Sequence, residues 1–369
     1  MAARSATDDV RPAVQRLLRA AVARQASDVH LEPTAAGYEV RCRVDGLLTV
    51  TEQLDAATGR GYVNRLMVSA GLLTYRLDVP QEGRLRMELE GDGEGPTTLD
   101  LRLAVMPTTH GLRAVVRLPA ELVQPRSLDA LALPEPTLAV LRRFVEADSG
   151  MLLLCGPAGS GKTTTIYALL EQIVQRSAGV SVISLEDPVE RDLPGVTQIE
   201  VTPFGGLTYE AALRSILRQD PQVLALGEIR DQATASIAVQ AALSGHRLVS
   251  TLHAGSPEGA MVRLLEMGLE PYQVASSVFA VVSVRLLRRG SAAAGYGGRV
   301  PVAEVAAMTA GVRQAVLERG QAEAVRAAIE REAGFASMRD AAAALVAAGV
   351  TDAAEVGRVL GAPTGGRPT

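Results

Sequence analysis

The stretch GPAGSGKT, residues 156–163, decides how the second half of this sequence folds. An apolar run, Met151–Cys155, precedes it, and apolar residues spaced three and four positions apart follow it from Ile166 to Val174. These flanks predict a buried strand and an amphipathic helix, so the glycine-rich turn lies at a helix N-terminus. Its backbone N–H groups can hold phosphate oxygens without side chains in the way. The pattern is a complete Walker A motif and predicts a nucleotide site.

The chemistry of this motif assigns a role to its last two residues. Lys162 reaches the β- and γ-phosphates, and the Thr163 hydroxyl coordinates Mg²⁺. We therefore predict ATP and Mg²⁺ as ligands, with Thr163 as the metal ligand. The alternative, a glycine-rich turn that binds nothing, conflicts with the eight-residue pattern and with both flanks. The predicted nucleotide-binding residues of this segment are Gly156, Pro157, Ala158, Gly159, Ser160, Gly161, Lys162, Thr163 and Thr164.

Three further apolar runs without alternation predict strands that are buried on both faces of a parallel sheet. Helical stretches lie between them, which indicates a doubly wound α/β domain. In such a domain ligands bind in the crevice at the carboxyl ends of the strands. The three runs are Val180–Leu185, Val223–Leu226 and Leu248–Leu252.

Acidic residues follow two of these strands and are candidates for catalysis. Glu228 can orient and polarise a water molecule for in-line attack on the γ-phosphate. The position before it, where many P-loop proteins have an Mg²⁺-binding Asp, is Gly227. The metal must therefore rely on Thr163, water and other acids, and either Glu186 or Glu190 is a candidate to share that role. The alternative for Glu228 alone is a surface acid in a salt bridge.

Two histidines and two arginines complete the candidate set. His246 and His253 flank the last apolar run, and either can sense the γ-phosphate by a hydrogen bond or be a structural residue. Arg214 and Arg218 are four positions apart, so we expect them on one face of a helix. That face either stabilises phosphate charge, within a subunit or from a neighbour, or is a solvated basic surface.

The first part of the chain has a different pattern. Apolar and polar residues alternate in Tyr38–Asp45 and in two later stretches, which predicts an antiparallel sheet with one buried and one charged face. An amphipathic helix spanning Val14–Val22 precedes it. The predicted organisation is an α+β (PAS-like) domain at 9–118, a linker at 119–137, a P-loop core at 138–300, a helical region at 301–360 and a disordered tail at 361–369.

Composition narrows the possible classes of protein. Hydrophobic residues make up 47% and charged residues 21%, which excludes a disordered chain. The net charge of −4, with 3% aromatic residues and no Trp, argues against a nucleic-acid partner. Cys42 and Cys155 cannot form a disulfide framework or a cysteine-rich zinc site. Apolar runs are far shorter than the ~20 residues that span a bilayer. We expect a soluble cytoplasmic protein that meets a membrane only through partners.

Together these motifs resemble those of the type II secretion and type IV pilus assembly ATPases. The motifs that carry the resemblance are Ser27–Pro33 with Arg41–Gly46, Pro80–Arg84, Met106–Gly111, the Walker A segment, Glu186–Glu190 as the Asp box, Leu217–Asp231 as the Walker B region and Gly245–His253 as the His box.

The resemblance implies a RecA-like core in a homo-hexamer, with nucleotide between the two domains. It implies that Arg214 and Arg218 face phosphate, and that Arg41 or Arg43 could close over the nucleotide. It also implies an inner-membrane platform protein as partner. No zinc is expected, because the stretch 285–299, where relatives often carry four cysteines, has none. We expect no counterpart of the N-terminal module that docks such ATPases to their partner, which leaves the docking partner open.

The predicted function is an ATP-hydrolysing motor for pseudopilus or pilus assembly, or for type II secretion. A pilus retraction ATPase is one alternative, favoured by the missing zinc loop and the short N-terminus. A nucleic-acid translocase on a RecA-like core is a second, and a scaffold that does not hydrolyse ATP is a third. Intact Lys162, Thr163 and Glu228 argue against the scaffold.

Overall fold

The computed structural model describes residues 10–89, 97–119, 125, 127–177, 179–201, 207–318 and 321–361. The chain divides into two compact units, one before and one after the boundary between residues 123 and 124. The predicted disordered tail, apart from Gly361, lies outside the described residues. Among the described helices, none has the length and apolar character required to span a bilayer.

In its described residues, the first unit is an antiparallel sheet with two helices. The six strands lie in the order β3-β2-β1-β6-β5-β4, and every neighbouring pair is antiparallel. Its elements are α1 (Val10–Ala23), β1 (Asp28–Thr34), β2 (Gly37–Val44), β3 (Leu47–Leu54), α2 (Ala56–Ser69), β4 (Gln81–Leu89), β5 (Thr97–Thr108) and β6 (Gly111–Arg117).

Alternation along these strands separates the two faces of the sheet, as the sequence pattern predicted. The apolar members, such as Leu31, Val40 and Leu101, are buried in one core with residues from both helices. The N-cap of α2 is Asp55, whose side chain accepts hydrogen bonds from the first backbone N–H groups of the helix. The opposite face is polar and carries ion pairs, for example Arg113 with Glu32 at 2.7 Å.

The second unit contains seven strands and ten helices among the described residues. Its elements are α3 (Glu135–Glu146), β7 (Gly150–Cys155), α4 (Lys162–Arg176), β8 (Val182–Glu186), β9 (Thr197–Glu200), α5 (Tyr209–Ile216), β10 (Val223–Leu226), α6 (Gln232–Leu243), β11 (Arg247–Leu252), α7 (Pro257–Glu266), α8 (Pro271–Ser277), β12 (Val278–Ser291), β13 (Gly295–Ala307), α9 (Ala310–Leu317), α10 (Ala322–Glu330), α11 (Met338–Ala347) and α12 (Ala353–Leu360).

The sheet of the second unit is mostly parallel, as predicted. The strand order is β13-β12-β7-β11-β10-β8-β9, and only the β12–β13 pair is antiparallel. Strands β8, β10 and β11 are buried along their whole length. Two apolar clusters cover the two faces of the sheet, so that Leu153 and Leu185 lie in one cluster while Leu152 and Leu154 lie in the other. Because the central strands are parallel, their carboxyl ends meet at one edge.

Two stretches of the second unit differ from the sequence interpretation. Leu128, Leu131 and Leu133, within the predicted linker 119–137, are buried in the core of this unit. The region predicted as helical from residue 301 begins with the end of β13, and its first helix starts at Ala310. The first residues after 300 form a strand and not a helix because β13, despite its alanine residues, pairs with β12 as far as Ala307.

Candidate nucleotide-binding site

The loop between β7 and α4 is shaped by three glycines with positive φ. The φ angles are +144° at Gly156, +73° at Gly159 and +96° at Gly161, which favour glycine. A Cβ atom at Gly156 would lie 2.6 Å from the Val284 carbonyl oxygen and 2.7 Å from Ser160 Oγ. The loop backbone therefore packs closer to its neighbours than any larger residue would allow.

Helix α4 begins directly after this loop and has no side-chain N-cap. Gly161 is the N-cap and has no side chain to accept from the first backbone N–H groups. The Ser160 side chain is 3% exposed, and its Oγ has no hydrogen-bond partner among the described residues. Thr163 is exposed and Thr164 half-buried in the first turn. Free amides, an orphan hydroxyl and an exposed threonine hydroxyl are donors and ligands that fit phosphate and Mg²⁺.

Lys162 folds back over this loop. Its Nζ donates to the carbonyl oxygens of Gly156 at 2.8 Å and Pro157 at 2.9 Å. Burial lowers the pKa of Lys162, and the charge of Arg285 lowers it further, while the charge of Glu228 acts in the opposite direction. The ammonium group is thus partly desolvated and within electrostatic reach of the predicted catalytic acid.

Glu228, just after β10, is held from both sides. One carboxylate oxygen is paired with Arg230, and the other lies 2.8 Å from Nε2 of His253, which follows β11. The structure therefore brings together Glu228 and His253, two of the predicted site residues. Arg230 also lies 3.8 Å from Asp187 and so connects two strand ends.

Tyr209 supports the backbone at Glu228, a role that the sequence interpretation missed. Its hydroxyl donates to the Leu185 carbonyl oxygen at 2.7 Å and accepts from the Glu228 N–H at 3.4 Å. Burial raises the pKa of Tyr209 to about 12, so the hydroxyl stays protonated. A Cβ atom at Gly227 would lie 2.8 Å from this hydroxyl. In the sequence, Gly227 stands out only because it replaces an Mg²⁺-binding Asp. In the structure, its lack of a side chain leaves room for Tyr209.

Glu186, at the end of β8, is buried in a network of neutral donors. It accepts from Ser184 Oγ at 2.6 Å, from Gln198 Nε2 at 3.0 Å and from the Tyr167 hydroxyl. Burial and the neighbouring Glu186 raise the pKa of Tyr167. Glu186 is buried and both of its carboxylate oxygens are engaged within the protein, whereas the Glu228 side chain is partly exposed. Burial therefore makes Glu186 the less accessible of the two acids for Mg²⁺ or water.

His246 lies at the opposite end of β11 from His253, so the structure does not bring the two predicted histidines together. It precedes β11, whereas His253 follows it, and the six residues between them span about 20 Å. The His246 carbonyl accepts from Gly150 N–H at the start of β7, and its Nδ1 lies 3.0 Å from the Ala241 carbonyl oxygen. A role of His246 at the nucleotide site stays a prediction.

Arg214 and Arg218 do not share a helix face, because α5 ends at Ile216. Arg214 is paired with Glu210 at 2.9 Å, and Arg218 lies exposed in the turn beyond the helix. The turn is followed by Asp220, whose φ is +50°, and by a proline, and neither continues a helix.

Arg41 and Arg43 lie on β2 of the first unit. Arg41 is paired with Glu39 at 2.6 Å, and Arg43 is 3.4 Å from Asp28 and donates to the Gly46 carbonyl oxygen. Whether either arginine closes over a nucleotide stays a prediction. No group of three or more His, Cys, Asp or Glu side chains suited to a metal ion occurs in the described part of the chain.

Comparisons with known proteins agree on one family. Its model, described as type II/IV secretion system protein, matches residues 4–358. The type II secretion system protein HxcR of Pseudomonas aeruginosa is 37% identical over 365 residues, covering 94% of this chain and 76% of HxcR. The type IV pilus assembly ATPase PilB of Acinetobacter baylyi is 34% identical over 387 residues, covering 94% of this chain and 65% of PilB. The chain spans about half the length of several other curated relatives.

Solved structures agree on the fold. The X-ray structure of the ATPase DotB from Legionella pneumophila matches with a TM-score of 0.72 at 19% sequence identity. The match covers 92% of this chain and 93% of DotB. At this identity the likeness concerns the fold alone.

Proposed function

Since the chain belongs to the type II/IV secretion system protein family, as its motifs predicted, we propose that it is an ATP-hydrolysing motor. The work it drives is assembly of a pilus or pseudopilus, or type II secretion. One observation carries the proposal: Lys162 follows β7 and Glu228 follows β10, so both lie at the edge where the parallel strands end, beside a glycine loop that has the donors for a phosphate chain. The names of relatives, which include a pilus assembly ATPase, support the same class.

The nucleotide binds along residues 156–164 in this proposal. The loop amides and Lys162 hold the phosphates, and Pro157 and Ala158 are exposed at the mouth of the loop. Thr163 would hold Mg²⁺, which when bound neutralises part of the phosphate charge. Because Glu186 is engaged within the protein, the other positions around the metal fall to water and phosphate.

Glu228 is the proposed catalytic residue. A carboxylate at this position orients water for attack on the terminal phosphate. His253 and Arg230 restrain the two carboxylate oxygens, and Tyr209 restrains the backbone, so the group is fixed before the reaction. Fixing the acid in this way reduces the reorganisation needed in the transition state.

The larger-scale parts of the proposal follow from the family. The second unit serves as a RecA-like core in a homo-hexamer at the cytoplasmic face of the inner membrane, where a platform protein is the partner. Arg41, Arg43, Arg214 and Arg218 are exposed or half-buried, and we assign them to phosphate contacts, those of Arg214 and Arg218 being made either within the chain or in a neighbouring copy. Nucleotide binding and hydrolysis then alternate the closed and open arrangements of the two units.

The test is Mg²⁺-dependent ATP hydrolysis by the purified full chain. Lys162→Ala should abolish nucleotide binding. Glu228→Gln should retain binding while turnover falls by roughly 10²-fold or more, because the base is lost. Glu266→Gln, an exposed acid on α7, is the matched control and should hydrolyse ATP normally. Near-normal turnover by Glu228→Gln would remove Glu228 from the mechanism, and no hydrolysis by wild type under any assembly condition would refute the proposed function.

A further inference from the structure

Arg285 lies beside the nucleotide loop, although no motif led to it. Strand β12 runs parallel to β7 with Ser283 opposite Cys155, the last residue before the loop. Arg285 therefore continues β12 at the same edge where the loop begins. The next residue, Leu286, reaches the other end of the loop, with a side-chain carbon 3.8 Å from the Cβ position at Gly161.

The guanidinium of Arg285 has no acidic partner among the residues that the structure describes. Nη1 donates to the Val284 carbonyl oxygen at 2.9 Å and to Ser283 Oγ at 3.4 Å, and Nη2 donates to the Gly255 carbonyl oxygen at 2.8 Å. Arg288, three positions along the same strand, has by contrast a full salt bridge to Glu355. A half-buried arginine bonded only to neutral oxygens keeps a net positive charge available to an anion.

The Arg285 guanidinium lies against the loop. Its Nη1 atom is 2.9 Å from the position that a Cβ atom would take at Gly156. The Ser160 hydroxyl is buried, has no hydrogen-bond partner in the described part of the chain, and lies against the same point. Lys162 is near enough for the two positive charges to repel each other. Two cations and an orphan hydroxyl at one helix N-terminus are arranged for a multiply charged anion.

We propose that Arg285 is a second cation of the nucleotide site and binds the phosphate chain of a nucleoside di- or triphosphate together with Lys162. This inference rests on the proposed function, because it needs the loop to bind nucleotide. The competing role is structural: Arg285 would only hold the loop after β11 through the Gly255 carbonyl.

Two substitutions separate charge from structure. Arg285→Gln keeps hydrogen-bond donors but loses the charge. Arg285→Lys keeps the charge but loses the planar guanidinium with its fixed set of donors. Arg289→Gln, an exposed arginine on the same strand, is the control for charge. Equilibrium binding of fluorescent ADP and of a non-hydrolysable ATP analogue to the full chain is measured with Mg²⁺. We expect Arg285→Gln to lower nucleotide affinity about tenfold or more. Arg285→Lys should bind nucleotide with an affinity within about threefold of wild type, and Arg289→Gln should bind it like wild type.

The outcomes separate the two proposals. Normal binding by Arg285→Gln, or an equal loss in Arg285→Gln and Arg285→Lys, would overturn the phosphate contact while leaving the proposed function intact. A wild-type protein that binds no nucleotide would refute both. Should Arg285→Gln fail to fold, phenylglyoxal labelling of the wild-type chain gives the answer by peptide mass spectrometry. Mg-ADP should protect Arg285 and leave Arg289 reactive, and equal labelling of Arg285 with and without nucleotide would overturn the inference.

Discussion

Lys162 is the only lysine among the 369 residues, and every other basic side chain apart from histidine is arginine. Its compact ammonium fits between two loop carbonyls at 2.8 and 2.9 Å. A planar guanidinium is larger and directs its donors along fixed axes, so it cannot reproduce these contacts. The chain therefore keeps lysine at the one position where a small point charge is needed.

Lys162→Arg tests that reasoning. The variant keeps the charge, yet we expect nucleotide affinity to fall more than about tenfold, because the guanidinium displaces the loop or the phosphate. Fluorescent-ADP titration measures the affinity, and thermal unfolding checks that the fold is retained. Wild-type affinity in this variant would show that the site needs only a positive charge.

Tyr209→Phe tests how Glu228 is positioned. Removing the hydroxyl breaks the bonds to the Leu185 carbonyl and the Glu228 N–H. We expect turnover to fall about tenfold while nucleotide affinity stays within about twofold, since the acid and not the phosphate loop is disturbed. Tyr272→Phe, an exposed tyrosine on α8, should change neither quantity. An unchanged turnover in Tyr209→Phe would dismiss the positioning role.

At the scale of elements, the hydrophobic pattern predicted both sheets. Strands buried on one face alternate apolar and polar residues, whereas strands buried on both faces are apolar throughout. Contacts between residues far apart in the sequence produce no comparable local pattern. The pattern could not show that α5 ends at Ile216, between Arg214 and Arg218, nor that β13 extends to Ala307 because β12 pairs with it.

The candidate site was predictable to the extent that motifs specify it. The loop at 156–163 and the acid at Glu228 follow from local spacing, and strand order brings His253 to the same edge. That His246 and His253 lie at opposite ends of β11 means that only one of them can lie beside Glu228, and the sequence alone could not show which. Tyr209 and Arg285 carry no local signal, since their roles depend on contacts with segments far away in the sequence.

Helix α12 is held against β12 by an ion pair between Glu355 and Arg288. Glu355 on α12 is fully buried and accepts from Arg288 and Arg358. Burial by itself raises the pKa of Glu355, but hydrogen bonds from Arg358 and Arg288 outweigh it and lower the pKa to about 2. The folded pKa is therefore below the ordinary value. The stabilisation is present above about pH 4.5 and is lost as the pH falls towards 2.

Glu355→Gln should therefore lower the free energy of unfolding at neutral pH by roughly 2–4 kcal/mol, because two arginines lose their buried partner. Denaturant unfolding measures the change. The loss should shrink as the pH falls towards 2, where the wild-type carboxylate is also protonated. Glu266→Gln removes an exposed pair with Arg263 and should cost less than about 1 kcal/mol. Equal effects of the two variants would contradict a special role for Glu355.

At the scale of the whole molecule, the proposal requires several copies of the chain. If Arg214 and Arg218 reach the nucleotide of a neighbour, ATPase activity per chain should rise with protein concentration as hexamers form. Sedimentation velocity at the same concentrations should show the matching shift from monomer to hexamer. A constant activity per chain across a dilution series in which the hexamer dissociates would contradict catalysis by neighbours.

The central claim is that a phosphate chain binds on the loop ahead of α4, against Lys162. Because the chain has one lysine, amine-reactive labelling followed by mass spectrometry reads this site alone, with the terminal amino group as internal control. The account predicts that Mg-ATP protects Lys162 and leaves the terminal amine equally reactive. Labelling of Lys162 that is the same with and without saturating Mg-ATP would contradict it.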